Sequence, residues 1–219
     1  MKQKKFASNE NISIDLFQNR WLNYLSRTHI LGPIGMVWLF AAWLLYHSGE
    51  TAGFALSQTL GWFGAGVFLF TLAEYLLHRN LYHLEPTSER RKKLAYAIHG
   101  VHHDYPKDKS RLAMPPLGVI LYLIVFYTLF RLAFGQYSYA LLAGFSVGYT
   151  LYLTVHYSVH AFRPPNNFLK VLWTNHAIHH YQDDTVMYGV SSPLWDYVFG
   201  TVPKKKKTTK IQVEAKSDE

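Results

Sequence analysis

Ten of the twelve histidines in this 219-residue chain fall into four short groups. These are His78 with His83; His99 with His102 and His103; His156 with His160; and His176 with His179 and His180. Residues three and four apart share a helix face, so HGVHH, HYSVH and NHAIHH each predict rings projected together from one helix. His78 and His83 are five apart, about 140° out of phase on a straight α-helix, so the helix is expected to end or distort between them. A lone histidine is ordinarily structural or solvated, and that role is assigned to His29 and His47. A pH-sensing cluster needs no such periodic order, and one structural zinc needs about four ligands. Ten imidazoles fit two ions with about five ligands each, leaving a position on each ion for dioxygen or water.

The chain has no cysteine, which excludes a thiolate metal site, a disulfide framework and a cysteine nucleophile. Any metal must then be held by nitrogen or oxygen, and imidazole suits zinc, copper, iron and nickel alike. Composition supplies the setting: 49% of residues are hydrophobic and only 16% charged, against about 25% charged in soluble domains. Charge is crowded into a few segments, leaving others almost bare. The start, MKQKKFASNENISIDLF, is basic but runs into polar residues, without the apolar core or cleavage site of a signal peptide. It reads as a cytosolic segment.

Four apolar segments, residues 30–46, 60–77, 117–134 and 139–155, approach the length needed to cross a bilayer. The expected fold is an all-α integral membrane protein: four transmembrane helices in two hairpins, with a cytosolic helical cap holding the histidines. Residues 48–59 and 135–138 contain no Lys or Arg, whereas the N-terminus, Arg90 to Lys93 and Lys204 to Lys207 are basic. The positive-inside rule then places both termini and the long central loop in the cytoplasm. A soluble bundle with buried helices is the alternative, and this loop asymmetry argues against it. The expected organisation is a cytosolic segment 1–29, a catalytic membrane domain 30–203 and a basic tail 204–219, whose charge and lack of apolar period predict disorder.

On this topology ten imidazoles collect on one membrane side, at the mouth of an apolar tunnel that would deliver a lipid chain. Neutral ligands leave two divalent ions their full charge, and inert C–H bonds demand a redox metal with oxygen. Iron is favoured as the functional metal, with zinc able to occupy the site in purified protein.

At these residues the sequence resembles the membrane-bound fatty acid hydroxylase superfamily. HGVHHDYPKDKSRLAMPP together with NHAIHHYQDDTVMYGVSSPLWDYVFGT is similar to its fatty acid 2-hydroxylase branch, the likeness covering residues 74–201. It implies a four-span protein with a cytosolic cap over a dinuclear site, inserting one oxygen atom next to the acyl carboxyl. It also implies that all ten histidines occupy ligand positions. The chain departs from many eukaryotic members in having no HPGG haem motif in these residues, so electrons are expected from a separate protein, such as a cytochrome b5 or a ferredoxin with its reductase. It also carries Ala113 where a larger apolar residue is expected.

Other residues take supporting parts. Glu74 precedes His78 by four residues, so on a continuing helix its carboxylate lies beneath that imidazole. Asp104 is read either as accepting a hydrogen bond from a ligand's free ring N–H or as a solvated loop acid. Tyr152 and Tyr149 stand four and seven residues before His156 on one helix face and are candidates for an acyl-chain pocket wall. Lys107, Lys109 and Arg111 suit lipid headgroups, and Pro115 with Pro116 defines the entry to the third apolar segment.

The expected function is a lipid C–H hydroxylase using dioxygen and two external electrons to convert a fatty acyl chain to its 2-hydroxy form. A sterol or carotenoid oxidase or a desaturase of the same superfamily is its rival. A non-catalytic metal-binding or transport protein is the alternative of another class, although transport favours ligands within the spans. No nucleic-acid partner is expected. The membrane would be the endoplasmic reticulum in a eukaryote and the inner membrane in a bacterium.

Overall fold

The computed structural model describes residues 6–85 and 87–204. In chain order its helices are α1 (Arg20–Leu25), α2 (Leu31–Glu50), α3 (Leu56–Leu77), α4 (Glu89–Ala95), α5 (Val101–Asp104), α6 (Pro116–Phe134), α7 (Ser138–Ala161), α8 (Lys170–Tyr181) and α9 (Leu194–Phe199). The long apolar helices α2, α3 and α6 pack around α7, with α3 and α2 its closest partners. Lipid tails are as apolar as leucine, so helix association in a bilayer relies on close van der Waals fit and small residues at the seam. Here a Cβ at Gly144 would overlap the Phe63 carbonyl, and one at Gly66 the Leu141 carbonyl. The α3 and α7 backbones therefore touch, and Phe70 fills the space over Gly148.

The protein is a multi-pass all-α membrane protein, but the four separate spans expected from hydropathy must be corrected to three. Among the described residues, three helical stretches are long and apolar enough to cross a membrane: Leu31–Glu50, Leu56–Tyr82 and Lys109–Ala161. The last is 53 residues long and contains both final apolar segments, because only the 3₁₀ turn Gly135–Tyr137, entered through Gly135 at φ 53°, separates α6 from α7. Residues 138–150 of α7 are all buried by protein. Hydropathy along a chain does not separate a helix that faces lipid from one enclosed by its neighbours. The paired hairpins are corrected too: the principal contacts of α7 are with α3 and α2, not with α6 beside it in sequence.

One end of the bundle carries a cap. A π-helical turn, His78–Tyr82, continues α3; a second, Tyr96–Gly100, joins α4 to α5; α8 and α9 complete it. The N-terminal segment is bound to this cap. Ala7 and Ser8 N–H groups donate to the Asp104 carbonyl, at 2.9 and 3.0 Å, and the Tyr181 hydroxyl donates to Asn9. Arg111 is buried rather than offered to headgroups: it pairs with Asp108 at 3.0 Å and donates to the Ile14 carbonyl. Pro116 sits in the first turn of α6 after an extended Pro115, and Ala113 is buried in the core. Of the expected disordered tail, all but Lys204 lies outside the described residues.

Candidate metal centre

The cap brings the ten histidines into two groups of five. His78, His83, His99, His103 and His179 form group A; His102, His156, His160, His176 and His180 form group B. Within each, one ring nitrogen per residue lies within 4.8 Å of all the others. The expected distortion between His78 and His83 is the first π-turn, in which the His83 N–H donates to the His78 carbonyl at 3.2 Å. That i to i+5 pairing turns two out-of-phase rings onto one side, and such turns are frequent at functional sites. His99 leaves from the second π-turn.

The HxxHH segments do not project as units. His99 and His103 enter group A while His102 enters group B; His176 and His180 enter group B while His179 enters group A. Successive helical residues are about 100° apart, so adjacent histidines diverge and i, i+4 pairs stay together. The short helices α5 and α8 thus each serve both groups. His29 is exposed, and His47 meets Thr51 at 2.9 Å; neither joins a group.

In nine of the ten rings the atom that faces a neighbouring imidazole is Nε2. In group A, His78 lies 3.1 Å from His99, His103 3.0 Å from His99, and His83 3.0 Å from His179. In group B, His156 lies 3.0 Å from His102, and His160 2.7 Å from His176. Two nitrogens held about 2.1 Å from one ion at a right angle are about 3.0 Å apart. The outer nitrogens strengthen the fit. His78 Nδ1 donates to the Tyr188 carbonyl at 2.6 Å, His179 Nδ1 to Val186 at 2.8 Å and His156 Nδ1 to Leu112 at 3.3 Å. With the proton fixed on Nδ1, Nε2 presents a lone pair, the form a metal binds. Both ring nitrogens of His180 are buried without a hydrogen-bond partner. Burial first, and then neighbouring imidazoles, lower the pKa values of His99, His102, His176 and His180, and of His179 to about 4. These rings are neutral at physiological pH, and both groups are capable of coordinating a metal ion.

The supporting residues divide. Glu74, buried four residues before His78, accepts from the N–H groups of Val190, at 2.6 Å, and Ser191, at 2.9 Å, and from the Ser191 hydroxyl. Its link to His78 runs through the loop that carries Tyr188. Asp104 lies beside the Tyr96 hydroxyl, which burial and then this carboxylate push up to about 12. Tyr152 stacks on His156, with centroids 5.4 Å apart and planes at 10°, and Tyr149 stacks on Tyr152 at 6.2 Å. Phe70 lies against both tyrosines. On the other side, Lys107, His160, Trp173, His176 and Tyr181 line a cleft of about 50 Å³. Sequence reasoning missed the carbonyls of Leu112, Val186 and Tyr188, because every residue type carries one; the only signal was the turn-forming sequence around them.

The chain matches the fatty acid hydroxylase family over residues 63–201. It is 33% identical over 195 residues to dihydroceramide fatty acyl 2-hydroxylase FAH2 of Arabidopsis thaliana, covering 89% of this chain and 82% of that protein. It is 39% identical over 171 residues to the ceramide very long chain fatty acid hydroxylase scs7 of Schizosaccharomyces pombe, covering 75% of this chain but 49% of that protein. The human fatty acid 2-hydroxylase is 32% identical, and the match spans 91% of this chain and 59% of its own length. A solved structure of full-length scs7p, in which only the hydroxylase domain is visible, superposes with a TM-score of 0.76 at 34% identity, covering 86% of this chain and 71% of that one. The two imidazole groups thus stand in a chain that belongs to the fatty acid hydroxylase family, in its fatty acid 2-hydroxylase branch.

Proposed function

We propose that this oxidoreductase hydroxylates a fatty acyl chain at the carbon next to its carboxyl carbon, with His78, His83, His99, His103 and His179 holding one iron ion and His102, His156, His160, His176 and His180 the other. The observation that carries the proposal is the gathering of ten imidazoles, one ring nitrogen from each, into two compact groups of five at the end of a membrane bundle. When bound, the ions supply the redox chemistry that activates dioxygen. The balance is R–H + O₂ + 2e⁻ + 2H⁺ giving R–OH + H₂O.

The chain's own residues bind, orient and enclose. The Tyr188, Val186 and Leu112 carbonyls fix ligand tautomers. Tyr149, Tyr152 and Phe70 form a file of rings running from His156 along α7, and we assign it to the acyl chain. Holding the carboxyl end at the cap and the tail among these rings would present a carbon near the head to the ions. The balance consumes two electrons, and we assign these to a separate donor, a cytochrome b5 or a ferredoxin with its reductase. The basic residues of α4, on the cap, support a cytoplasmic cap in an endoplasmic reticulum or bacterial inner membrane.

Lipid mass spectrometry with and without the protein, supplied with donor, reductase and oxygen, tests the proposal. A 2-hydroxy acyl product is expected, and offering free fatty acid and ceramide separately identifies the acyl carrier. Hydroxylation only at another carbon, or only of sterols or carotenoids, would overturn it.

A further inference from the structure

The segment SSPLWDYVFGT has an acidic residue with no part in the two histidine groups. Asp196 is fully buried. One carboxylate oxygen accepts from the Tyr188 N–H at 2.8 Å and the Thr201 hydroxyl at 2.8 Å; the other accepts from the Gly189 N–H at 2.8 Å. Gly200, at φ 70°, ends α9 and returns the chain so that Thr201 donates to the Asp196 carbonyl and accepts from the Met187 N–H, both at 2.9 Å. Glu74 takes the next two N–H groups, those of Val190 and Ser191. Four consecutive amides, 188 to 191, are therefore bound by two buried carboxylates.

The fit is tight. A Cβ at Gly189 would overlap the Ser192 carbonyl and press on the Asp196 carboxylate, and Met187 is held at φ 56°, in the left-handed region. This clamped loop presents the Val186 and Tyr188 carbonyls to His179 and His78. Both belong to group A; no hydrogen bond from this loop to a group B ring is found among the described residues.

We propose that Asp196 is a positioning residue for the group A ion alone, acting through the 186–191 loop on the tautomer and orientation of His78 and His179. The inference rests on the assignment of the ten histidines to two ions. Loss of such outer partners commonly weakens metal binding about 10- to 100-fold, and here the loss should fall on one ion of the two.

The test is metal content of the purified full chain, with helical circular dichroism and size-exclusion elution as fold controls. Wild-type protein with about two ions supports the underlying assignment; about zero defeats that assignment. Given two, Asp196→Asn is expected to bring the count to about one after mild dialysis, since the amide sets an N–H₂ donor against backbone donors. Adding His83→Ala, in the same group, should leave one, whereas adding His180→Ala, in the other, should leave about none. An Asp196→Asn count still at two, or an equal loss from both groups, overturns the inference. Should Asp196→Asn fail to fold, Gly189→Ala decides in its place, with the same expected count and the same overturning results.

Discussion

The two imidazole groups have the same five-ligand composition and differ in what lies behind the rings. In group A, two Nδ1 atoms donate to carbonyls of one loop, at 2.6 and 2.8 Å, and buried carboxylates clamp that loop. In group B the only such carbonyl bond among the described residues is the 3.3 Å contact of His156 with Leu112. The Nδ1 atoms of His102, His176 and His180 are buried without partners. Group A is thus set before an ion arrives, whereas group B depends more on the ion to order its rings. Group B also borders both the cleft at His160 and His176 and the tyrosine file at His156. The less braced group is the one with both approaches, which suits it to the side where reactants arrive.

The largest expected effect comes from removing a central ligand. His102→Ala should abolish detectable hydroxylation and lower the count from about two ions to about one, because His102 faces His156, His160 and His180 within group B. His99→Ala should do the same to group A. Loss of both ions from either folded variant would show that the groups are one coupled site and would end the comparison.

Graded chelation should separate the groups more finely. Ordering rings on binding costs side-chain entropy, so the group B ion should leave first, with the two releases about tenfold or more apart in chelator concentration. His102→Ala protein should then show only the later release. A single release of both ions from the wild type would contradict unequal bracing.

Glu74→Gln should be milder. The side-chain carbonyl still accepts from Val190 or Ser191, but one strong acceptor is lost, a change of about 1.5–3 kcal/mol for a charged hydrogen bond. Metal titration should show weaker binding in group A, by about tenfold, with group B unchanged. A change confined to group B would mean that the carboxylate acts by some route other than its loop.

How much of this was legible in the sequence follows the range of each interaction. The ten histidines, the break in phase between His78 and His83, and the shared face of Tyr149, Tyr152 and His156 are local periodicities, and all three are present in the fold. The allocation of His102 and His103, or His179 and His180, to opposite groups follows from 100° per residue, yet needs the positions of four helices to become visible. Glu74 stands four residues before His78, but its hydrogen-bond partners lie 116 and 117 residues away, beyond any local pattern. Arg111 looked like a headgroup contact and is instead folded inward onto Asp108 and Ile14. The separation into four spans failed because α7 is apolar for contact with α2 and α3 as much as for contact with lipid.

The smallest expected effect bears on what group B's openness serves. Tyr152 stacks on His156 almost in parallel and is followed by Tyr149, so it either lines the acyl-chain path or braces the group B ligand. Truncating it separates these roles, because the ring contributes no nitrogen to either group. If Tyr152 lines the path, Tyr152→Ala should retain about two ions and shift chain-length preference or the position of the new hydroxyl by several-fold, since a hydrophobic contact discriminates by about 1–3 kcal/mol. If the stacked ring braces His156, the variant should instead lose the group B ion, and group B would prove to be supported by an aromatic face where group A is supported by carbonyls. An unchanged metal count, product profile and rate would remove Tyr152 from both roles and leave the cleft at His160 and His176 as group B's distinguishing approach.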